Sequence, residues 1–131
     1  MMEIERSFDI ENEVRLALSP FFETYCRPLP ANYGLPCVLV SQVGGTELNK
    51  IDTFDVVLDI RAKTNEDAMI TMRSAIGILK AVAKNQTTEI RHATVNSTGS
   101  WGNDPIRPDL VMCSARLQLV AHIEKVNLEE S

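Results

Sequence analysis

The sequence predicts an α+β domain: a four-stranded, largely antiparallel sheet with two helices packed on one face, in the order α-β-β-α-β-β. Three stretches carry this reading. "LVMCSARLQLVAHIEKV" (110–126) alternates apolar odd-numbered positions with polar even-numbered ones, and "FDVVLDIRA" (54–62) alternates with the same period of two. "TNEDAMITMRSAIGILKAVAKN" (64–85) repeats its apolar residues every three to four positions, the period of a helix. A chain of 131 residues suits one domain with one core, taken here as residues 1–131 with an ordered core about 9–126.

Along the chain, residues 9–25 place Ile10, Val14, Ala17, Leu18, Phe21, Phe22 and Tyr25 at helical spacing, with Asp9 as N-cap and acids in the first turn. Pro20 interrupts this helix and kinks or restarts it, with Ser19 as a second cap. "PLPANYGLP" (28–36) reads as a loop. "CVLVSQV" (37–43) reads as a strand that Gly44 and Gly45 end, and residues 44–53 as a polar loop leading into the 54–62 strand, the two strands pairing as a hairpin. Thr64 caps the 64–85 helix, with Ala68, Met69, Met72, Ala75, Ile76, Leu79 and Ala83 as its buried stripe, Lys80 and Lys84 at the negative end of its dipole and Asn85 closing it. "TEIRHATVN" (88–96) is a further strand. The chain closes with one long strand, 110–126, and an acidic, frayed tail, "NLEES".

Composition narrows the function. The net charge is −5 and no Lys/Arg cluster occurs, which disfavours groove-reading nucleic-acid binders, because these neutralise phosphates with clustered cations. No apolar run approaches the roughly 20 residues that span a bilayer, and the first ten residues carry no apolar signal core. Cys26, Cys37 and Cys113 are odd in number and widely spaced, so they read as reduced thiols of a cytosolic protein, with Cys113 on an apolar strand face.

No constellation reads as catalytic. Gly44-Gly45 lacks the Gly-Lys-Ser/Thr and the following helix of a phosphate loop. Asp55 and Asp59 lie about 13 Å apart along one strand, too far for a catalytic carboxylate pair. His92 and His122 fall on neighbouring strands, where two histidines can ligate a metal or relay a proton, but no third ligand accompanies them. The expectation is no enzyme activity, no cofactor and no metal.

The one unusual segment is "STGSWGNDPIRPDL" (97–110). It holds the only tryptophan among turn residues, six positions before Arg107. Trp101 has three readings: a plug for the open end of the core, a partner-facing anchor of the Trp-and-Arg kind common at interfaces, or the lining of a ligand pocket. Asp104 and Arg107 are close enough in sequence to pair across the turn and brace the loop.

The order of these motifs resembles the tail terminator proteins of long-tailed bacteriophages, also called tail completion or minor tail proteins. The resemblance runs over about residues 10–123: an N-terminal helix, a Pro-containing loop into "CVLVSQV" with Gly44-Gly45, an Asp-containing strand around Asp52 to Asp59, a helix starting at Thr64 to Ala68, a loop with Trp101, Asp104 and Arg107, and a long closing strand. Pro108-Asp109 after Arg107, and Pro20, depart from that pattern. The resemblance implies a structural virion protein, assembled in the host cytoplasm, whose six-membered ring sits on the last turn of the tail tube. The ring stops tube polymerisation, meets the head connector or head completion protein, and lets DNA pass through its lumen unread. A largely acidic chain suits such passage, since it offers phosphates little to bind. Contacts between unlike patches close into a ring when the rotation allows. The candidate contact residues are Trp101, Asp104 and Arg107 in the loop, Gly44, Gly45, Glu47 and Lys50 in the 44–53 segment, and Asp59, Arg61 and Arg116 on the polar sheet face. Two other readings stand beside this one: another phage neck or tail component, such as a connector or tube protein, and a small ligand-binding α+β domain that acts as a dimer.

Overall fold

Helix α1 (Ile10–Leu18) starts at the expected cap, where the Asp9 carboxylate accepts the Asn12 N–H at 3.2 Å. Before it lies a strand, β1 (Met2–Arg6), and after it β2 (Glu23–Cys26), β3 (Cys37–Leu48), β4 (Ile51–Ala62) and helix α2 (Asn65–Asn85). The chain continues through β5 (Ile90–Thr98), the two-residue β6 (Gly102–Asn103), β7 (Val111–His122) and β8 (Glu124–Leu128). This computed structural model describes residues 1–48, 51–99 and 101–129.

The four-stranded sheet is corrected to six strands, in the order β2-β3-β4-β7-β5 with β6 also on β7, plus a separate two-stranded sheet of β1 and β8. Three local effects account for the difference. Pro20 cannot supply a helical N–H, so α1 stops at Leu18 instead of running to Tyr25. The released "ETYC" segment then joins the edge of β3 in parallel, pairing Thr24 with Val38 and Cys26 with Val40. The second effect lies at Gly44-Gly45, which does not end β3 but carries it on past a register shift at Val43, with Gly44 opposite Asp55 and Gly45 opposite Phe54. Gly45, at φ +153°, runs so close to β4 that a Cβ would collide with the Thr53 carbonyl oxygen. The expected polar loop at 44–53 is therefore mostly strand, with Thr46 opposite Thr53 and Glu47 opposite Asp52. Third, the closing strand breaks at Ile123, and β8 pairs antiparallel with β1, from Met2 opposite Leu128 to Arg6 opposite Glu124. Residues 2–6 thus pair with the end of the expected 110–126 strand and the first residues of the expected frayed tail, helped by the Arg6–Glu124 ion pair at 2.6 Å.

Helix α2 matches its expected start: Thr64 Oγ1 accepts the Asp67 N–H at 3.1 Å. Its C-cap is Gln86, in the left-handed conformation at φ 54°, and not Asn85. On its inner stripe Thr71 is buried, while Met69 faces solvent. Helix α2 packs on β4, β7 and β5, and α1 on β2 and β3 and against α2, so that one core joins Phe54, Val56, Leu58 and Ile60 of β4 with Cys113, Ala115, Leu117 and Leu119 of β7. Ile10, Val14 and Leu18 enter from α1, and Ala68, Met72, Ala75 and Leu79 from α2. Cys113 is fully buried, and burial pushes its thiol pKa up to about 11, with the Asp59 charge adding to the rise.

One buried carboxylate on the core side of the sheet stands without a partner among the described residues. Asp52 lies on the helix-covered side of β4, opposite Ala121, with only 2% of its surface exposed, and neither carboxylate oxygen has a hydrogen-bond partner among the described residues. Replacing an unsatisfied buried polar group by an apolar one of similar size removes a desolvation penalty. Asp52→Val is therefore expected to raise unfolding stability by about 1–3 kcal/mol, read as a higher denaturant midpoint. A fall in the midpoint would mean that the carboxylate serves a partner the fold needs.

Candidate functional site

The loop that follows β5 is braced from inside by Asp104, only 3% exposed. Its Oδ1 accepts the N–H of Ile106 at 2.9 Å and of Arg107 at 3.4 Å, a local turn that Asp forms readily. Its Oδ2 takes two long-range donors, Arg61 Nε at 2.9 Å from β4 and the Tyr33 hydroxyl at 3.0 Å from the loop between β2 and β3. The main chain closes the turn, with Asp104 N–H to Leu110 O at 3.1 Å and Leu110 N–H to Arg107 O at 2.9 Å. Asn103 Nδ2 donates to Pro108 O at 2.8 Å, so the prolines that flank Arg107 are part of a fixed turn.

Burial by itself would raise the Asp104 pKa. The donors from Ile106, Arg61, Tyr33 and Arg107 outweigh it and hold the carboxyl below its ordinary value, so it stays ionised. The Tyr33 hydroxyl is pushed the other way, by burial and by the bond to Asp104. Asp59, two residues before Arg61 on the same strand face, has its pKa raised by burial, with the Arg61 charge opposing the rise.

The expected Asp104–Arg107 side-chain pair is corrected. Asp104 spends its oxygens on Arg61, Tyr33 and two backbone groups, while the Arg107 guanidinium lies over the Tyr33 ring, 5.4 Å from its centroid. Spacing of three residues suggested Arg107. Nothing in the sequence ties Asp104 to partners 43 and 71 positions away; only packing of two loops at the end of β4 does so.

Behind this brace is a pocket of about 330 Å³. Leu29, Pro30 and Ile106 form apolar walls, and Arg61, Arg107 and Tyr33 supply the polar ones. The loop at 28–36, read as a plain connection, is one wall of the site. Arg61 Nη1 is buried and has no acceptor among the described residues, a condition that leaves a charged donor's desolvation uncompensated.

Trp101 is 46% exposed and lies outside the core, which corrects its reading as a core plug. It borders a shallow surface depression with Asn65 and Val111, separate from the Arg61 pocket. Ile106, at the tip of the same loop, is 89% exposed.

The remaining candidates divide by place. Asp59, Arg61 and Arg116 share the sheet face away from the helices, with Asp59 opposite Ser114 and Arg116 opposite Val57. Gly44 and Gly45 follow the bulge of β3 at Val43, and a Cβ on Gly44 would stand 3.2 Å from Asp55 Oδ2 on the paired strand. Glu47 is opposite Asp52 near the hairpin end, and Lys50 lies outside the described residues. His92 pairs in register with Val120, and His122 with Ile51. Among the described residues no three His, Cys, Asp or Glu side chains converge as a metal site, and no helix is long and apolar enough to cross a membrane.

No family model matches the chain, and no curated protein matches it significantly.

Proposed function

We propose that this chain is a structural assembly subunit of a phage tail, of the tail-terminator kind. It forms a ring, most simply of six copies, that ends the tail tube and offers a surface to the head connector. The reading rests on the motif order of the sequence together with one structural observation: a loop braced by four hydrogen bonds to Asp104 presents two exposed apolar side chains, Trp101 and Ile106, to solvent. Anchors of this kind lose little conformational freedom on docking, because the loop is already ordered. The sheet face away from the helices, with Asp59 and Arg116, gives a second surface for unlike contacts around a ring, whereas Arg61 on that face is taken up by Asp104 beneath the loop. Light scattering and electron microscopy of the protein with tail tubes test this reading. Rings on tube ends and tubes of arrested length support it; a compact dimer under every condition, with tube length unchanged, overturns it.

The role of Trp101 is separable. Because its indole is half in water, Trp101→Ala is expected to change monomer stability by less than about 1 kcal/mol. The same change is expected to weaken assembly by about 2 kcal/mol or more. Denaturant unfolding and ring formation measured on the same variant check this. A strongly destabilised monomer would contradict an anchor role.

The enclosed Arg61 pocket favours one alternative, a small-ligand-binding dimer. Ligand-linked dimers that leave tail tubes unaffected would establish that alternative.

A further inference from the structure

We infer that the pocket between the 28–36 loop and the 101–110 loop is a binding site for a carboxylate carried on a small apolar body, a chemistry shared by the carboxy-terminal residue of a protein and a free small acid. The inference does not depend on ring formation. It rests on the donors and walls of the pocket.

The charges select an anion. Arg61 and Arg107 both line the cavity, and its one internal anion, Asp104, is already saturated, with two donors on each oxygen. Two guanidinium groups against one carboxylate leave a single net positive charge. Arg61 spends only Nε on Asp104, and its Nη1 is buried without an acceptor among the described residues. The Arg107 guanidinium is held over the Tyr33 ring, 5.4 Å from the centroid, and has no carboxylate within ion-pair distance among the described residues. A guanidinium edge offers parallel N–H donors that suit a planar carboxylate. A doubly charged phosphate would exceed the available positive charge and would be repelled by Asp104.

The walls select the body. Leu29 and Pro30, with the exposed Ile106 at the rim, line the cavity with apolar surface, and its volume of about 330 Å³ accommodates one or two residues rather than an extended chain. A terminal residue with an apolar side chain brings both features on one Cα: side chain to the walls, carboxylate to the guanidinium groups. An internal Asp or Glu would bring the charge with a continuing chain that the pocket has no room for.

The test uses nuclear magnetic resonance titration of the full chain, kept monomeric by dilution, with three probes. These are a hexapeptide ending in leucine with a free carboxylate, the same peptide as its C-terminal amide, and N-acetyl-leucine. The free-acid peptide is expected to shift the Arg61 Nε–H, Ile106 and Arg107 signals. The amide is expected to bind about tenfold more weakly, the loss of a charge-assisted pair of hydrogen bonds. Binding of N-acetyl-leucine as tight as that of the peptide would make a free small acid the source of the carboxylate, and tighter binding of the peptide a protein terminus; either outcome supports the site. Arg107→Gln should weaken the free-acid peptide by a similar factor while the protein stays folded, since the one contact that guanidinium gives up within the chain is the Tyr33 ring. Ile106→Asp should abolish binding through like charge while the exposed position tolerates it. Equal binding of acid and amide, or no shifts in the two loops at about 10 mM peptide, overturns the site altogether. None of these readouts involves rings or tubes, so a failed pocket and a failed assembly role remain distinguishable.

Discussion

Asp104→Ala is expected to cost about 3–5 kcal/mol of unfolding stability, the loss found when one partner of a buried ion pair is removed. The change strands the Arg61 guanidinium, the Tyr33 hydroxyl and two backbone N–H groups in one step. The Arg61 guanidinium, 13% exposed, loses its acceptor where little water reaches it, and the other three lose the bonds that fix the loop. Leucine at both positions, Asp104→Leu with Arg61→Leu, should recover part of the loss, because the burial of a lone charge is then removed along with the pair. The pH dependence has a definite sign. The folded-state pKa of Asp104 lies below its unfolded value, so its contribution is complete above roughly pH 4. That contribution is lost as pH falls from there through the folded-state pKa. Acid unfolding curves of wild type and Asp104→Ala should therefore converge in that window and stay parallel near neutrality. Curves that remain separated by the same amount down to the lowest pH would show that the carboxylate's charge is not what the loop uses.

Leu117→Ala is the second large effect. Leu117 is fully buried in the middle of β7, opposite Val56 on one side and Val95 on the other, beneath the helices. Truncation there loses burial and leaves a cavity, together worth about 2–5 kcal/mol, and the same range applies to Leu79→Ala on α2. Against a domain stability of order 5–15 kcal/mol this is severe. Gln118, the next residue, is exposed on the opposite sheet face, so Gln118→Ala should stay within about 0.5 kcal/mol. Adjacent residues with opposite outcomes test the register directly. A denaturant midpoint for Leu117→Ala equal to that of Gln118→Ala would place the wrong face of β7 against the helices.

Such a contrast is legible in the amino-acid order because strand alternation is a local property. In β7 and β4 the period of two assigns each side chain to a face before any partner is known, and the helix-facing rows Phe54–Ile60 and Cys113–Leu119 follow from it. The start of α2 is equally local: Thr64 and Asp67 lie three residues apart, within reach of a cap. The Asp104 turn onto the Ile106 and Arg107 N–H groups is of the same kind.

What only the tertiary structure decided is whatever needs a partner distant in the chain. Four residues after Pro20 become a strand because an edge of β3 is free beside them, a circumstance no propensity records. Met2–Arg6 and Glu124–Leu128 are short and polar, and become a separate sheet only against each other. Gly44-Gly45 carries the same local signal for a strand end as for a close approach of two strands; pairing with β4, tight against Thr53, selects the second. Asp104 illustrates both halves at once. Its backbone bonds are written within three residues, whereas its ion pair with Arg61 and its bond to Tyr33 exist only because two loops meet at the end of β4. Local periods and caps thus determined the core and the faces. Edge pairing, charge partners and the pocket were decided by long-range packing, since hydrogen bonds and ion pairs depend on distance in space and not in sequence.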